Sequence, residues 1–291
     1  MTQRSEQISL HLNAYLTAHS SPPDAVLREL ANETADLFPN ETGLQIAPEQ
    51  GTFMTLLTQL TGATAAIEIG TFTGYSSICI ARGLKPGATL LCCDISEEWT
   101  SVARKYWEKA GLADRIELRL GPAMDTLVSL PDQELFDLAF IDADKGGYLG
   151  YWRQVVPRVR PGGLIMVDNT FSHGRVIDAG NDNPAVFAIR DFNDHAAADD
   201  RVDLVMVPIG DGLTLARKKQ CYARRLARAD RFTGHRRGRA HRSRGSPVPH
   251  GLCRTVARGR SPSPRRGWKA AARPGRSAPR AGWWCPSRSS A

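Results

Sequence analysis

From residue 65 to residue 218 the chain alternates short apolar runs with amphipathic stretches, and this alternation admits few folds. Residues 65–69, 88–93, 116–120, 136–141, 164–167, 202–207 and 213–217 read as strands. The segments 75–84, 97–110, 123–130, 147–159 and 185–195 between them read as helices. Strand and helix in turn predict an α/β fold, a doubly wound, Rossmann-like, mostly parallel sheet of seven strands with helices on both faces. Two helices are expected ahead of the sheet. Ser21-Pro22-Pro23-Asp24 reads as a capped start for residues 25–37, with Ser21 as the cap, and Phe53, Leu56, Leu57 and Leu60 share one face of residues 49–60.

Ligands of such sheets bind beyond the carboxyl ends of the strands, so chemistry is sought there. The first strand runs into Glu68-Ile69-Gly70-Thr71-Phe72-Thr73-Gly74-Tyr75-Ser76-Ser77, a glycine-rich turn entering a helix whose N–H groups can face a ligand. A dinucleotide fingerprint starting at Gly70 would need glycine at positions 72 and 75, where Phe72 and Tyr75 stand, which disfavours a nicotinamide oxidoreductase. An acid, a glycine and a second glycine in this spacing instead suit the amine and carboxylate of an amino-acid-like cofactor. The second strand ends at Asp94, where a carboxylate can accept both hydroxyls of a ribose or, alternatively, cap the helix that follows, a role Ser96 could equally fill. Gly121-Pro122-Ala123 after the third strand leaves room for a flat adenine, or merely starts a helix.

The fourth strand ends in Asp142-Ala143-Asp144-Lys145 and the fifth in Asp168-Asn169. Asp142 and Asp168 lie one strand-helix unit apart and should emerge side by side. Asp142, Asp168 and Asn169 then offer three oxygen donors, a small site for a hard cation, with Lys145 close to any bound oxygen nucleophile. Each acid taken singly reads as a helix cap or a surface ion pair.

These pieces, with Val167-Asp168-Asn169-Thr170 and the run from Gly210 through Asp211, Gly212 and Leu213 to Lys218, resemble the cation-dependent O-methyltransferases related to catechol and caffeoyl-CoA O-methyltransferases. The resemblance spans residues 25–218. It implies that Glu68, Gly70, Ser76, Asp94, Ala123 and Asp142 bind S-adenosylmethionine (SAM), and that Asp142, Asp168 and Asn169 hold Mg2+ or another divalent cation. Lys145, with Asp142, is implied as catalytic, either as a base or as a stabiliser of the developing oxyanion. Asp144 stands at a position that places the chain nearer the caffeoyl-CoA branch. A homodimer and a small-molecule or carrier-bound hydroxyl acceptor are also implied. An antibiotic pathway, with a macrolide or polyketide acceptor, is the expected setting, and a catechol-like or caffeoyl-CoA-like phenol is the alternative. Phe171 and His173 are expected near the acceptor, with His173 left out of the catalytic set.

Charge divides the 291-residue chain. Residues 1–218 carry 18 basic and 29 acidic side chains, whereas 219–291 carry 20 basic and one acidic, so the net charge of +8 belongs wholly to the second segment. Rich in Arg, Pro, Gly and Ser and poor in aliphatic residues, that segment reads as a disordered extension or the product of a shifted reading frame. An RNA methyltransferase using it as a nucleic-acid arm is disfavoured, because the acidic body has no basic face, and no nucleic-acid partner is expected. No apolar run reaches membrane-spanning length and residues 1–19 lack a signal-peptide pattern, so a cytoplasmic protein with no membrane partner is expected. The cysteines show no metal-ligand spacing, and Cys79, Cys92 and Cys93 read as reduced core residues.

Overall fold

The computed structural model describes residues 9–220. The expected basic segment therefore lies, from residue 221 on, outside the described residues, as do Cys221, Cys253 and Cys285. Among the described residues seven strands form one sheet: β1 (Ala65–Ile69), β2 (Thr89–Asp94), β3 (Ile116–Leu120), β4 (Phe136–Ile141), β5 (Val159–Val167), β6 (Val202–Val207) and β7 (Leu213–Lys218). Their order is β3-β2-β1-β4-β5-β7-β6, with β1 to β5 parallel and β7 antiparallel to both β5 and β6. The order reverses direction between β1 and β4, the switch point at which such sheets open a crevice.

Among the described residues eight α-helices accompany the strands: α1 (Leu10–Ala18), α2 (Ala25–Leu37), α3 (Pro48–Thr61), α4 (Tyr75–Gly83), α5 (Glu97–Lys109), α6 (Ala123–Ser129), α7 (Tyr148–Arg158) and α8 (Pro184–Ala198). The helix at α1 was not expected from the sequence. Local chemistry sets the ends of the others. Ser96 caps α5 by accepting the Trp99 N–H at 3.2 Å, with Glu97 and Glu98 in the first turn and Lys109 in the last, each favourably placed against the helix dipole. α2 starts later than Ser21 would place it: Asp24 is its cap, accepting the Leu27 N–H at 3.0 Å, because Pro22 and Pro23 precede the helix rather than begin it.

Alternate residues of each central strand point to opposite faces, giving two cores. Ala66, Cys92, Leu138 and Phe140 pack on one face with α2, α3, α4 and α5 residues such as Leu30, Met54 and Ile78. Ile67, Ile69, Cys93, Ala139 and Ile141 pack on the other with Leu127, Trp152 and Phe192 of α6, α7 and α8. Cys79, Cys92 and Cys93 are buried and free, as the sequence indicated. β5 begins five residues earlier than expected: Arg160-Pro161-Gly162-Gly163 is an irregularity within the strand, where pairing jumps from Phe136–Val159 to Leu138–Leu164. No helix among the described residues is long and apolar enough to cross a membrane.

Candidate active site

A cavity of about 610 Å3 lies over the carboxyl ends of β1, β2, β4 and β5. Its first wall is the turn after β1. Gly70 has φ +89, and a Cβ there would stand 2.1 Å from the Asp142 carbonyl oxygen, so the glycine is required by the neighbouring strand end as much as by any ligand. Gly74 (φ +91) brings the start of α4 against Ala103 and Trp107 of α5. Between them Phe72 also adopts a left-handed backbone, φ +51, its ring edge-on to Trp99 at 5.1 Å. Phe72 in place of glycine leaves the turn intact, its ring packed on Trp99 and its N–H bound by Asp94.

Asp94 secures that turn. Its Oδ2 accepts the Thr71 and Phe72 N–H groups, both at 2.8 Å, and its Oδ1 accepts the Ser96 N–H at 2.9 Å. Ser96, not Asp94, caps α5, and the carboxylate instead fixes the backbone of the turn while lining the cavity. Gly70, Ser76, Ala123 and Asp142 line the same cavity. Glu68 does not. It lies fully buried beneath the turn, its Oε2 accepting from the Cys92 thiol at 3.2 Å. Burial pushes its carboxyl up to about 8 against the opposing pull of Ser76, Cys92 and Thr71.

At the other wall, the parallel pairing of Ile141 with Val167 sets Asp142 beside Asp168, as the spacing predicted. Lys145 sits among oxygens: its Nζ donates to Asp142 Oδ1 at 3.1 Å, Asn169 Oδ1 at 2.6 Å and the Tyr148 hydroxyl at 2.6 Å. Tyr148, which sequence reading passed over, is fully buried and donates in turn to the Asp168 carbonyl at 3.2 Å. Asp142, Lys145 and Asn169 line the cavity, while Asp168 is 2 % exposed and stands behind them. Asp168 Oδ1 accepts its neighbour's N–H from Asn169 at 2.7 Å, and Oδ2 accepts from Gln50 Nε2 at 2.6 Å. Burial, and then the charge of Asp142, push the Asp168 carboxyl upward. No group of three or more His, Cys, Asp or Glu side chains able to hold a metal occurs among the described residues. The set here has two carboxylates and an amide oxygen, all hard donors, whose excess negative charge suits Mg2+ or Ca2+ rather than a soft metal.

The rest of the cavity is closed by residues from three segments: Leu44 and Ile46, then Ser172, His173 and Arg175, then Asp211. Phe171 does not line it but packs over Gly212, whose φ of +84 and bare Cα admit the ring. His173 is 77 % exposed in its side chain and its N–H donates to Asp211 Oδ1 at 2.6 Å, a loop tie rather than a buried base. Phe72, Asn169, Ser172 and His173, the non-glycine residues with positive φ among those described, all line the cavity. Backbone strain is concentrated where a ligand would bind.

A Rossmann-like sheet with an antiparallel β7 between β5 and β6, a glycine turn braced by the acid at the end of β2, and a cavity reaching from that turn to a lysine defines an enzyme of the class I methyltransferase type. The O-methyltransferase family profile matches residues 17–219, and the chain belongs to that family. It is 40 % identical over 208 residues to a probable caffeoyl-CoA O-methyltransferase of Dictyostelium discoideum, covering 70 % of this chain and 90 % of that protein. Among solved structures, the Bacillus cereus O-methyltransferase in complex with S-adenosylhomocysteine (SAH) is 35 % identical, with a TM-score of 0.66, over 72 % of this chain and 97 % of that one. TomG of Streptomyces achromogenes, involved in tomaymycin synthesis and solved with SAM, is 29 % identical with a TM-score of 0.65, over 72 % and 96 %. The chain is a SAM-dependent O-methyltransferase.

Proposed function

We propose that residues 1–218 form a divalent-cation-dependent methyltransferase domain acting on one hydroxyl of a small molecule that carries a neighbouring oxygen. The observation that carries this reading is the convergence of Asp142 Oδ1 and Asn169 Oδ1 on the Lys145 ammonium inside the cofactor cavity. Gly70, Ser76, Asp94, Ala123 and Asp142 are assigned to SAM, whose sulfonium supplies an electrophilic methyl group, while Glu68, buried beneath the turn, supports it without lining the cavity. Asp142, Asp168 and Asn169 are assigned to the cation, which lowers the pKa of acceptor hydroxyls when bound.

The chain's own groups do the rest. Asp94 holds the turn that presents N–H groups to the cofactor. Asp142, Asp168 and Asn169 fix their oxygens through backbone pairing and side-chain hydrogen bonds, so the acceptor is oriented before reaction. Lys145, held by Tyr148, stands where it can take the hydroxyl proton or stabilise the oxyanion.

The acceptor class rests on relatives. The name of the Dictyostelium protein favours a caffeoyl-CoA-like phenol, and the role of TomG favours an acceptor from antibiotic assembly, free or carrier-bound. A homodimer in the cytoplasm is part of the same reading. The test is turnover of a catechol, a caffeoyl thioester and carrier-bound hydroxyacyl substrates, with and without EDTA. Loss of activity in EDTA, restored by Mg2+, is the expected result, and undiminished turnover in EDTA would exclude the cation.

A further inference from the structure

We infer that Gln50 is the positioning residue for the cation-binding end of the site, an inference that rests on the cation reading above. Gln50 lies in the first turn of α3, 118 positions before Asp168, and is 1 % exposed. Its Nε2 donates to Asp168 Oδ2 at 2.6 Å, while Asp168 Oδ1 is held by the Asn169 N–H. The two donors fix both oxygens of the carboxylate and hence the plane in which its remaining lone pairs lie. A neutral amide does this without cancelling charge, whereas a lysine at the same place would neutralise a ligand meant for a cation.

The amide is itself aimed by its surroundings. A Cβ on Gly210 (φ +54) would stand 2.4 Å from Gln50 Oε1, so the turn before β7 closes directly on the side chain. α3 is tied to α4: Gly51 packs against Cys79 and Tyr75, and the Thr55 hydroxyl donates to the Cys79 carbonyl at 2.9 Å. α4 begins at the glycine turn of the cofactor site. Gln50 is thus the end of a rigid strut running from the cofactor turn, through the α3–α4 contact, to Asp168.

The experiment is Mn2+ titration of the full-length, SAH-loaded protein, followed by calorimetry, for wild type, Asp142→Ala, Gln50→Met and Gln50→Asn. The methionine keeps the volume without the amide, and the asparagine keeps the amide but falls one methylene short. Both Gln50 variants are expected to bind Mn2+ at least about tenfold more weakly with SAH affinity unchanged, and to raise the Mn2+ concentration for half-maximal turnover more than they lower kcat at saturating Mn2+. Wild-type binding lost in Asp142→Ala but unaltered in a Gln50 variant that still binds SAH would overturn the role of Gln50 alone. No Mn2+ binding by wild type would overturn the cation reading and this inference together. Equal losses of SAH and Mn2+ affinity in both variants would mark Gln50 as a merely structural residue and also overturn it.

Discussion

Replacing Asp94 by Asn tests the cofactor wall with an isosteric change. The carboxylate accepts three backbone N–H groups, from Thr71, Phe72 and Ser96, while only 8 % exposed. In the variant the amide oxygen can keep the Thr71 and Phe72 pair, but the NH2 then faces the Ser96 N–H, donor against donor. A buried donor left unsatisfied costs about 1–3 kcal/mol, and two charge-assisted hydrogen bonds weaken to neutral ones, so a total near 3 kcal/mol is expected. For a domain of this size that corresponds to a fall in Tm of about 6–12 °C. If the carboxylate also accepts ribose hydroxyls, the Kd for SAH rises by about 10- to 100-fold, one or two further hydrogen bonds to a charged group. Thermal unfolding with and without SAH, together with calorimetric titration, separates the two effects. A large Tm loss with unchanged SAH affinity would confine Asp94 to bracing the turn. No change in either would refute the reasoning altogether.

Other expectations follow from the same geometry. Lys145→Met should lower kcat by about 10²- to 10⁴-fold with the SAH Kd unchanged, and a steady-state assay showing wild-type kcat would remove Lys145 from the chemistry. Asp137 concerns stability rather than activity. Burial raises its carboxyl, but the Thr64 and Ala65 N–H groups, the Thr64 hydroxyl and Arg160 outweigh this and hold it at about 2. A depressed carboxyl pKa stabilises the fold above the unfolded value and loses that contribution as pH falls toward the folded one. About 1 kcal/mol, discounted for solvent, should therefore disappear between about pH 4 and pH 2 in wild type and not in Asp137→Asn. Urea denaturation across that range checks it, and a wild-type-minus-variant difference independent of pH would contradict the assignment.

Much of this was legible because its determinants are local in the chain. Apolar runs of strand length fixed β1, β3, β4 and β6 to the residue. The equal spacing of Asp142 and Asp168 on consecutive strand-helix units was enough to bring them together, since parallel neighbours align their ends. Turn chemistry is less legible. Phe72 holds a glycine-like backbone with its N–H bound by Asp94, 22 residues later, and its ring packed on Trp99, and Arg160-Pro161-Gly162-Gly163 continues a strand because β4 offers a partner across an irregularity.

The alternation of apolar runs determined, without any structure, that this chain builds a doubly wound sheet, and the residues at its strand ends determined which family it joins. Only tertiary structure could show that Glu68 lies below the cavity, that Asp94 grips the turn rather than capping a helix, and that Tyr148 and Gln50 complete the site. The physical reason is reach. A strand end places its residue by backbone pairing, which sequence spacing reports. Asp168 instead takes Gln50, 118 positions away, and Tyr148, 20 positions away, because of how α3 and α7 pack against the sheet, and packing joins residues that the chain holds far apart.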